Sequence, residues 1–180
     1  MIQLKSAREI DLMAEGGKIL AATVAMLRRE VKAGMSTLDL DALAESFIRG
    51  HQGATPAFKG LYGFPGTLCT SINHEIVHGI PSKKRVLKDG DIISIDVGVG
   101  YEGYFTDSAT TVPVGEVDAE TKRLLAVTER SLEAAIAASG RLSSPSGRRS
   151  AASCCVMNWS YGRSSLNARI VQSRYVYANG

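Results

Sequence analysis

The sequence predicts a chain of helices and antiparallel strands, and three observations lead there. Two serine-led capping signals open amphipathic stretches near the N-terminus. A glycine-punctuated run rich in β-branched and aromatic residues lies in the middle. A third apolar stripe at helical spacing follows it.

Ser6-Ala7-Arg8-Glu9 sets a cap serine three residues before a glutamate. Ile10, Met13, Ile19, Leu20, Val24 and Leu27 then form one stripe, ending near Val31, before Lys32-Ala33-Gly34. Ser36 with Asp39 is a second cap. It opens a helix carrying Leu40, Leu43, Ala44 and Phe47 and ending around Gly50-His51-Gln52-Gly53. His51, near that end, is read as a surface residue complementing the helix dipole. Residues 54–66 read as a loop rich in Gly and Pro. Phe58, Leu61, Tyr62 and Phe64 there suit either plain loop packing or one wall of an apolar pocket. Leu68–Ile72 and Ile76–Ile80 read as short strands turning at Asn73-His74-Glu75. His74 and His78 are spaced like a zinc pair on a helix, but Val77, Gly79 and Pro81 argue against a helix. Lys83-Lys84-Arg85 reads as a solvated loop, with nucleic-acid contact a weak alternative. Asp118 caps a helix from Ala119 to about Ala138.

The central run predicts a hairpin of Ile92–Val99 and Tyr104–Val112, with Gly100 and Gly103 bracketing a Tyr101-Glu102 tip. Centred there, it pairs residues whose numbers sum to 203, and so sets Asp96 opposite Asp107. Their Cβ atoms would lie roughly 4.5–5.5 Å apart. Two ionised carboxylates so placed repel, unless one keeps a proton or cations lie between them. Two divalent ions roughly 3.5–4 Å apart would answer that, one carboxylate chelating and the other bridging. The plainer reading makes one Asp a turn cap and the other a solvated strand residue.

A length of 180 residues suits one domain with a real core. No apolar run is long enough to span a bilayer, and the N-terminus lacks a signal-peptide pattern. Cys69, Cys154 and Cys155 form no paired framework, which fits a reducing cytosol. The net charge of +3 hides an asymmetry. Residues 1–133 hold 15 of the 21 basic residues and all 18 acidic ones, whereas residues 134–180 hold six Arg and no Lys, His, Asp or Glu. From Ser139 to Gly180, ten of 42 residues are Ser and the apolar residues show no period. The expected division is therefore 1–138, folded, and 139–180, a basic Ser/Arg tail expected to be disordered or out of frame.

Pro56 to Gly60, Cys69 to Pro81, Leu87 to Gly98 and Thr106-Asp107-Ser108 together resemble a bacterial type I methionine aminopeptidase, over residues 3–137. The chain opens directly on its first helix, as in the simple bacterial form. The resemblance implies an α+β fold: the N-terminal half of the pita-bread (creatinase/aminopeptidase) fold, an antiparallel sheet backed by helices. It implies removal of the initiator methionine from nascent polypeptides by a cytoplasmic monomer near the ribosome, using one or two divalent ions (Co, Mn, Fe, Zn or Ni). Neither a membrane nor a specific nucleic acid is implied. Asp96 matches the chelating carboxylate and Asp107 the bridging one. His78 matches a histidine that contacts substrate and helps stabilise the transition state. Phe58, Leu61, Phe64 and Cys69 match positions lining the methionine pocket.

The resemblance also implies three further ligands, one His and two Glu, and another catalytic His, from a second half. No His follows His78 and no Glu follows Glu133. A shift of reading frame near Ser139 accounts for the break, and low peptidase activity and poor solubility are expected. The rival from another class is a non-catalytic pita-bread module bound to ribosome or RNA. Such modules lose their metal ligands, whereas Asp96, Asp107 and His78 stand here. Proline-specific relatives of the fold usually carry a preceding domain.

Overall fold

The computed structural model describes residues 5–142 together with residues 157–158 and 171–172, and side chains over residues 5–137. The chain begins with α1, Ala7–Glu30, opened by the expected capping box. Ser6 Oγ accepts from the Glu9 N–H at 3.4 Å, and Glu9 Oε2 accepts from the Ser6 N–H at 2.7 Å. The second helix, α2, Thr37–Arg49, repeats the device, with Ser36 Oγ accepting from the Asp39 N–H at 3.2 Å. These reciprocal bonds satisfy orphan N–H groups that only water would otherwise reach. His51 is less solvated than expected: it is half-buried, its Nδ1 lies 2.9 Å from the Phe47 carbonyl, and its ring tilts against Phe47.

Four strands form one antiparallel sheet. They are β1, Ala54–Pro56; β2, Leu68–Ile72; β3, Ile92–Tyr101; and β4, Tyr104–Pro113. β4 pairs along the whole of β3, from Ile92↔Pro113 to Tyr101↔Tyr104. β1 and β2 therefore share the other edge of β3, end to end, at Ala54↔Tyr101 and Cys69↔Asp96. Among the described residues β4 pairs with no strand but β3.

Three readings are corrected here. Residues 54–66 are not all loop, since Ala54–Pro56 pairs as β1. Ile76–Ile80 is not a strand: His78 turns to φ 59 and Gly79 presses on Thr70, so the backbone leaves the extended region. The hairpin tip is Glu102-Gly103, at φ 49 and 85, not Tyr101-Glu102. Two successive positive φ values suit a tight turn matched to strand twist, and glycine takes the second of them without strain.

Strand alternation sends Ile93, Ile95, Val97 and Val99 to one face, where all four are fully buried with Leu20 and Leu27 of α1 and Leu40, Ala44 and Ile48 of α2. Each of the Ile, Leu and Val side chains stabilises the fold by about 1.5–3 kcal/mol. Gly16 lets α1 approach the hairpin: a Cβ there would lie 3.2 Å from Tyr101 Cβ. The third helix, α3, Ala119–Leu142, starts where expected, with Asp118 Oδ1 accepting from the Thr121 N–H at 2.7 Å, and runs past Ala138. None of its residues from 119 to 137 is buried. Within the tail, β5, Met157–Asn158, pairs with β6, Val171–Gln172. The rest of the expected tail lies outside the described residues. No helix among the described residues is long and apolar enough to cross a membrane.

Candidate metal centre

The face of the sheet turned away from α1 and α2 carries the candidate site. On β3 it presents Ser94, Asp96, Gly98 and Gly100. The register puts Cys69 of β2 beside Asp96, and Asp107 of β4 beside Gly98. Asp96 itself faces Ala109, so the two acids are diagonal neighbours rather than directly opposed. Moving the turn by one residue changes the pair sum from 203 to 205, as in Tyr101↔Tyr104. Both sums are odd, so the acids share a face in either register; that is why the expectation of a carboxylate pair survives the wrong register. Diagonal partners lie roughly 7–8 Å apart at the backbone, within reach of longer side chains leaning together. The two carboxyls come within reach of each other, and each bears on the other's acidity.

Each keeps an oxygen with nowhere to bond: Asp96 Oδ1 and Asp107 Oδ1 are both buried without a partner. Burial first, then the Asp107 charge and the hydrogen bond between them, holds the Asp96 carboxyl far above the usual carboxylate range. Burial raises Asp107 too, opposed by the bonds from Asp96 and the Ser108 backbone. Without a cation the pair therefore keeps a proton. The Cys69 thiol beside them is pushed up to about 12, by burial and then by the charges of Asp96 and Asp107. It is protonated and inert as a nucleophile near neutral pH.

An apolar wall adjoins the acids. Phe58 lies over Gly98, where a Cβ would come 2.7 Å from Phe58 Cε1 and 2.9 Å from Ala57 Cβ. Phe58, Cys69, Asp96 and Asp107 thus converge. Leu61 and Phe64 ride on the loop that Phe58 begins, closed by Leu61 N–H to Phe58 O at 3.0 Å and Gly60 N–H to Phe64 O at 2.8 Å. Leu61 is 48 % exposed and Phe64 half-buried. His78 is exposed, on the segment along the outer edge of β2, and does not join the acids as a third ligand.

Two structural side chains escaped the sequence reading. Asp41 of α2 is buried, and its Oδ1 accepts from the Thr67 N–H at 2.7 Å and the Leu68 N–H at 2.8 Å. It anchors the start of the strand that presents Cys69. Its only sequence signal is an acid directly after Leu40, and nothing local names a partner 26 residues away. Arg85, read as part of a solvated run, donates instead to the Thr70 and Ile80 carbonyls, both at 2.9 Å, and to Glu75.

A sheet with helices on one face and a buried acid pair on the other fits a known class. A model of metallopeptidase family M24 matches residues 11–147, and the chain belongs to that family. It is 54% identical over 132 residues to a methionine aminopeptidase 1 of Bacillus subtilis, covering 73% of this chain and 52% of that one. A methionine aminopeptidase of Clostridium perfringens is 50% identical over 131 residues. The crystal structure of a methionine aminopeptidase from Thermotoga maritima superposes with a TM-score of 0.73 at 40% identity, covering 76% of this chain and 54% of that one. The expected kinship and fold, the N-terminal half of the pita-bread architecture, are borne out. The chain spans about half the length of the curated relatives it matches.

The family name implies a metal, and the acid pair fits one. Two buried carboxylates with free oxygens suit a divalent ion that seeks oxygen, and the ion would relieve their repulsion. Among the described residues no set of three or more His, Cys, Asp or Glu side chains is placed to hold one ion.

Proposed function

We propose that residues 5–142 form the cation-chelating half of an aminopeptidase that removes the initiator methionine from newly made polypeptides, and that this chain does so weakly. One observation carries the reading: the unpartnered, buried oxygens of Asp96 and Asp107 beside the wall of Phe58 and Cys69. Asp96 and Asp107 would hold one or two divalent ions among Co, Mn, Fe, Zn and Ni. Such ions supply polarisation of a carbonyl and a nucleophile drawn from water.

The chain's own residues do the rest. Phe58, Leu61, Phe64 and Cys69 offer aromatic, aliphatic and thiol surface suited to a thioether side chain. His78 offers an imidazole N–H to charge developing at the reacting amide. A cytoplasmic, ribosome-proximal monomer suits such a substrate. Among the described residues two carboxylates are short of a full ligand shell, which supports weak cation binding and low turnover. The loss of acids, Lys and His after residue 133 supports a shift of reading frame near Ser139. An in-frame coding sequence across that junction, with a matching intact mass, overturns the frame shift.

Calorimetric titration with cobalt, beside Asp107→Asn, tests the centre. Binding that is weak in the natural chain and lost in the variant is expected. Equal heats in both sink the assignment. Hydrolysis of Met-Ala-Ser at a normal rate, tracking protein concentration, would overturn the weakness claimed here.

A further inference from the structure

We propose that Arg85 is the positioning residue of the segment that carries His78. With Glu75 it clamps residues 74–85 to the outer edge of β2 and fixes the backbone from which His78 projects. The functional part of this rests on the reading of His78 as a substrate contact.

The C-terminal part of the segment is also tied to α2, where the Ser82 N–H donates to Thr37 Oγ1 at 2.9 Å and the Thr37 hydroxyl to the Ser82 carbonyl at 3.2 Å; the stretch around His78 depends on fewer contacts. Ile76, Val77 and Ile80 are 68%, 37% and 53% exposed, so apolar burial does not fasten it. It forms no strand with β2; beyond the turn bond from the Glu75 N–H to the Ile72 carbonyl at 3.1 Å, its backbone meets the strand at Gly79. The Thr70 N–H donates to the Gly79 carbonyl at 2.7 Å, and the Gly79 N–H to Ser71 Oγ at 3.3 Å. A Cβ on residue 79 would fall 2.0 Å from the Thr70 carbonyl oxygen, so glycine alone permits this approach. His78, next to it, is held at φ 59. A non-glycine residue stays in that region only where its surroundings over-determine it.

Arg85 is what over-determines it. Nη1 donates to the Thr70 carbonyl on β2 and the Ile80 carbonyl on the segment itself, each at 2.9 Å. Nη2 pairs with Glu75 Oε2, and that same oxygen accepts from the Ile72 N–H at 2.7 Å. The Arg85 carbonyl in turn accepts from the Thr37 N–H at 2.8 Å, which ties the clamp to the start of α2. One guanidinium thus joins the strand and both ends of the stretch around His78. A lysine has a single charged point and no planar fork to serve three acceptors at once. Thr70 follows Cys69, which stands beside Asp96, so the clamp closes one residue along β2 from the thiol of the pocket wall.

Amide hydrogen exchange, followed by NMR in the natural chain and in Arg85→Met, Arg85→Lys and Glu75→Gln, tests the clamp. In Arg85→Met the Thr70 and Gly79 amides are expected to exchange at least about tenfold faster. The heteronuclear NOE of His78 is expected to fall, while Ile95 and Val97 stay within about twofold of the natural chain. Arg85→Lys is expected to recover only part of the protection. Unchanged exchange at Thr70 and Gly79, or an equal loss at Ile95 and Val97, overturns the proposal. A parallel titration with free methionine separates it from the functional reading. If His78→Ala perturbs Phe58 and Cys69 resonances with methionine just as the natural chain does, the substrate role of His78 fails, while the exchange data alone decide the clamp.

Discussion

On one face of β3 stand Ile93, Ile95, Val97 and Val99, each with no exposed surface against the helices; on the other, one residue along each time, stand Ser94, Asp96, Gly98 and Gly100. The first face stabilises the fold. The second opposes it, since Asp96 there and Asp107 on β4 beside it are carboxyls held out of water, each with an oxygen unpaired. Strand alternation lets ten residues do both, and the buried face supplies the stability that the strained one consumes. Asp41 and Arg85 show where such a site needs help: each is a charged side chain spent on backbone groups of β2.

The contrast can be broken from either side. The largest effect belongs to the apolar face. Ile95→Ala, deep between sheet and helices, is expected to cost about 2–5 kcal/mol in urea unfolding. A loss under about 1 kcal/mol would mean that this face is not the core. Asp41→Ala comes next. It leaves the Thr67 and Leu68 N–H groups without their acceptor, at about 1–3 kcal/mol. Asp41→Asn, which keeps an oxygen, should lose less by the same measurement. On the site face, Gly98→Ala forces Phe58 and Ala57 to move, for about 1–3 kcal/mol. Its sharper mark is a displaced Phe58 ring in the NMR spectrum, with core resonances unmoved.

The smallest effect has the opposite sign. Folding raises the pKa of both acids in the metal-free chain, so their contribution is fully present below the unfolded value of about 3.9 and is lost as pH rises through the folded one. Asp107→Asn removes one of the two titrating acids and its charge beside Asp96, and so part of that loss; the burial of Asp96 stays. The metal-free variant should melt about 2–4 °C above the natural chain at pH 8, with the gap closing on acidification toward pH 4. A variant that melts lower at every pH would show the acid pair to be a structural bond rather than a site held against its own repulsion.

Serine caps, apolar stripes and the glycine-marked hairpin act within a few residues of themselves, so the amino-acid sequence determined α1, α2, α3 and the two long strands with nearly their final bounds. It also determined that Asp96 and Asp107 share a face, because parity along paired strands survives a moved turn. Only the folded chain decided the register. That choice lay between two adjacent tips, and the left-handed backbone at Glu102 and Gly103 settled it. β1 was hidden because three residues carry no period of their own and become a strand only when β3 offers an edge. Ile76–Ile80 had a strand's composition, yet it meets β2 at one glycine and is held there by an arginine drawn from a run that looks solvated. The partners of Asp41 and Arg85 lie 26 and 15 residues away, brought near by burial of other side chains, and no local pattern encodes a distance that the core sets.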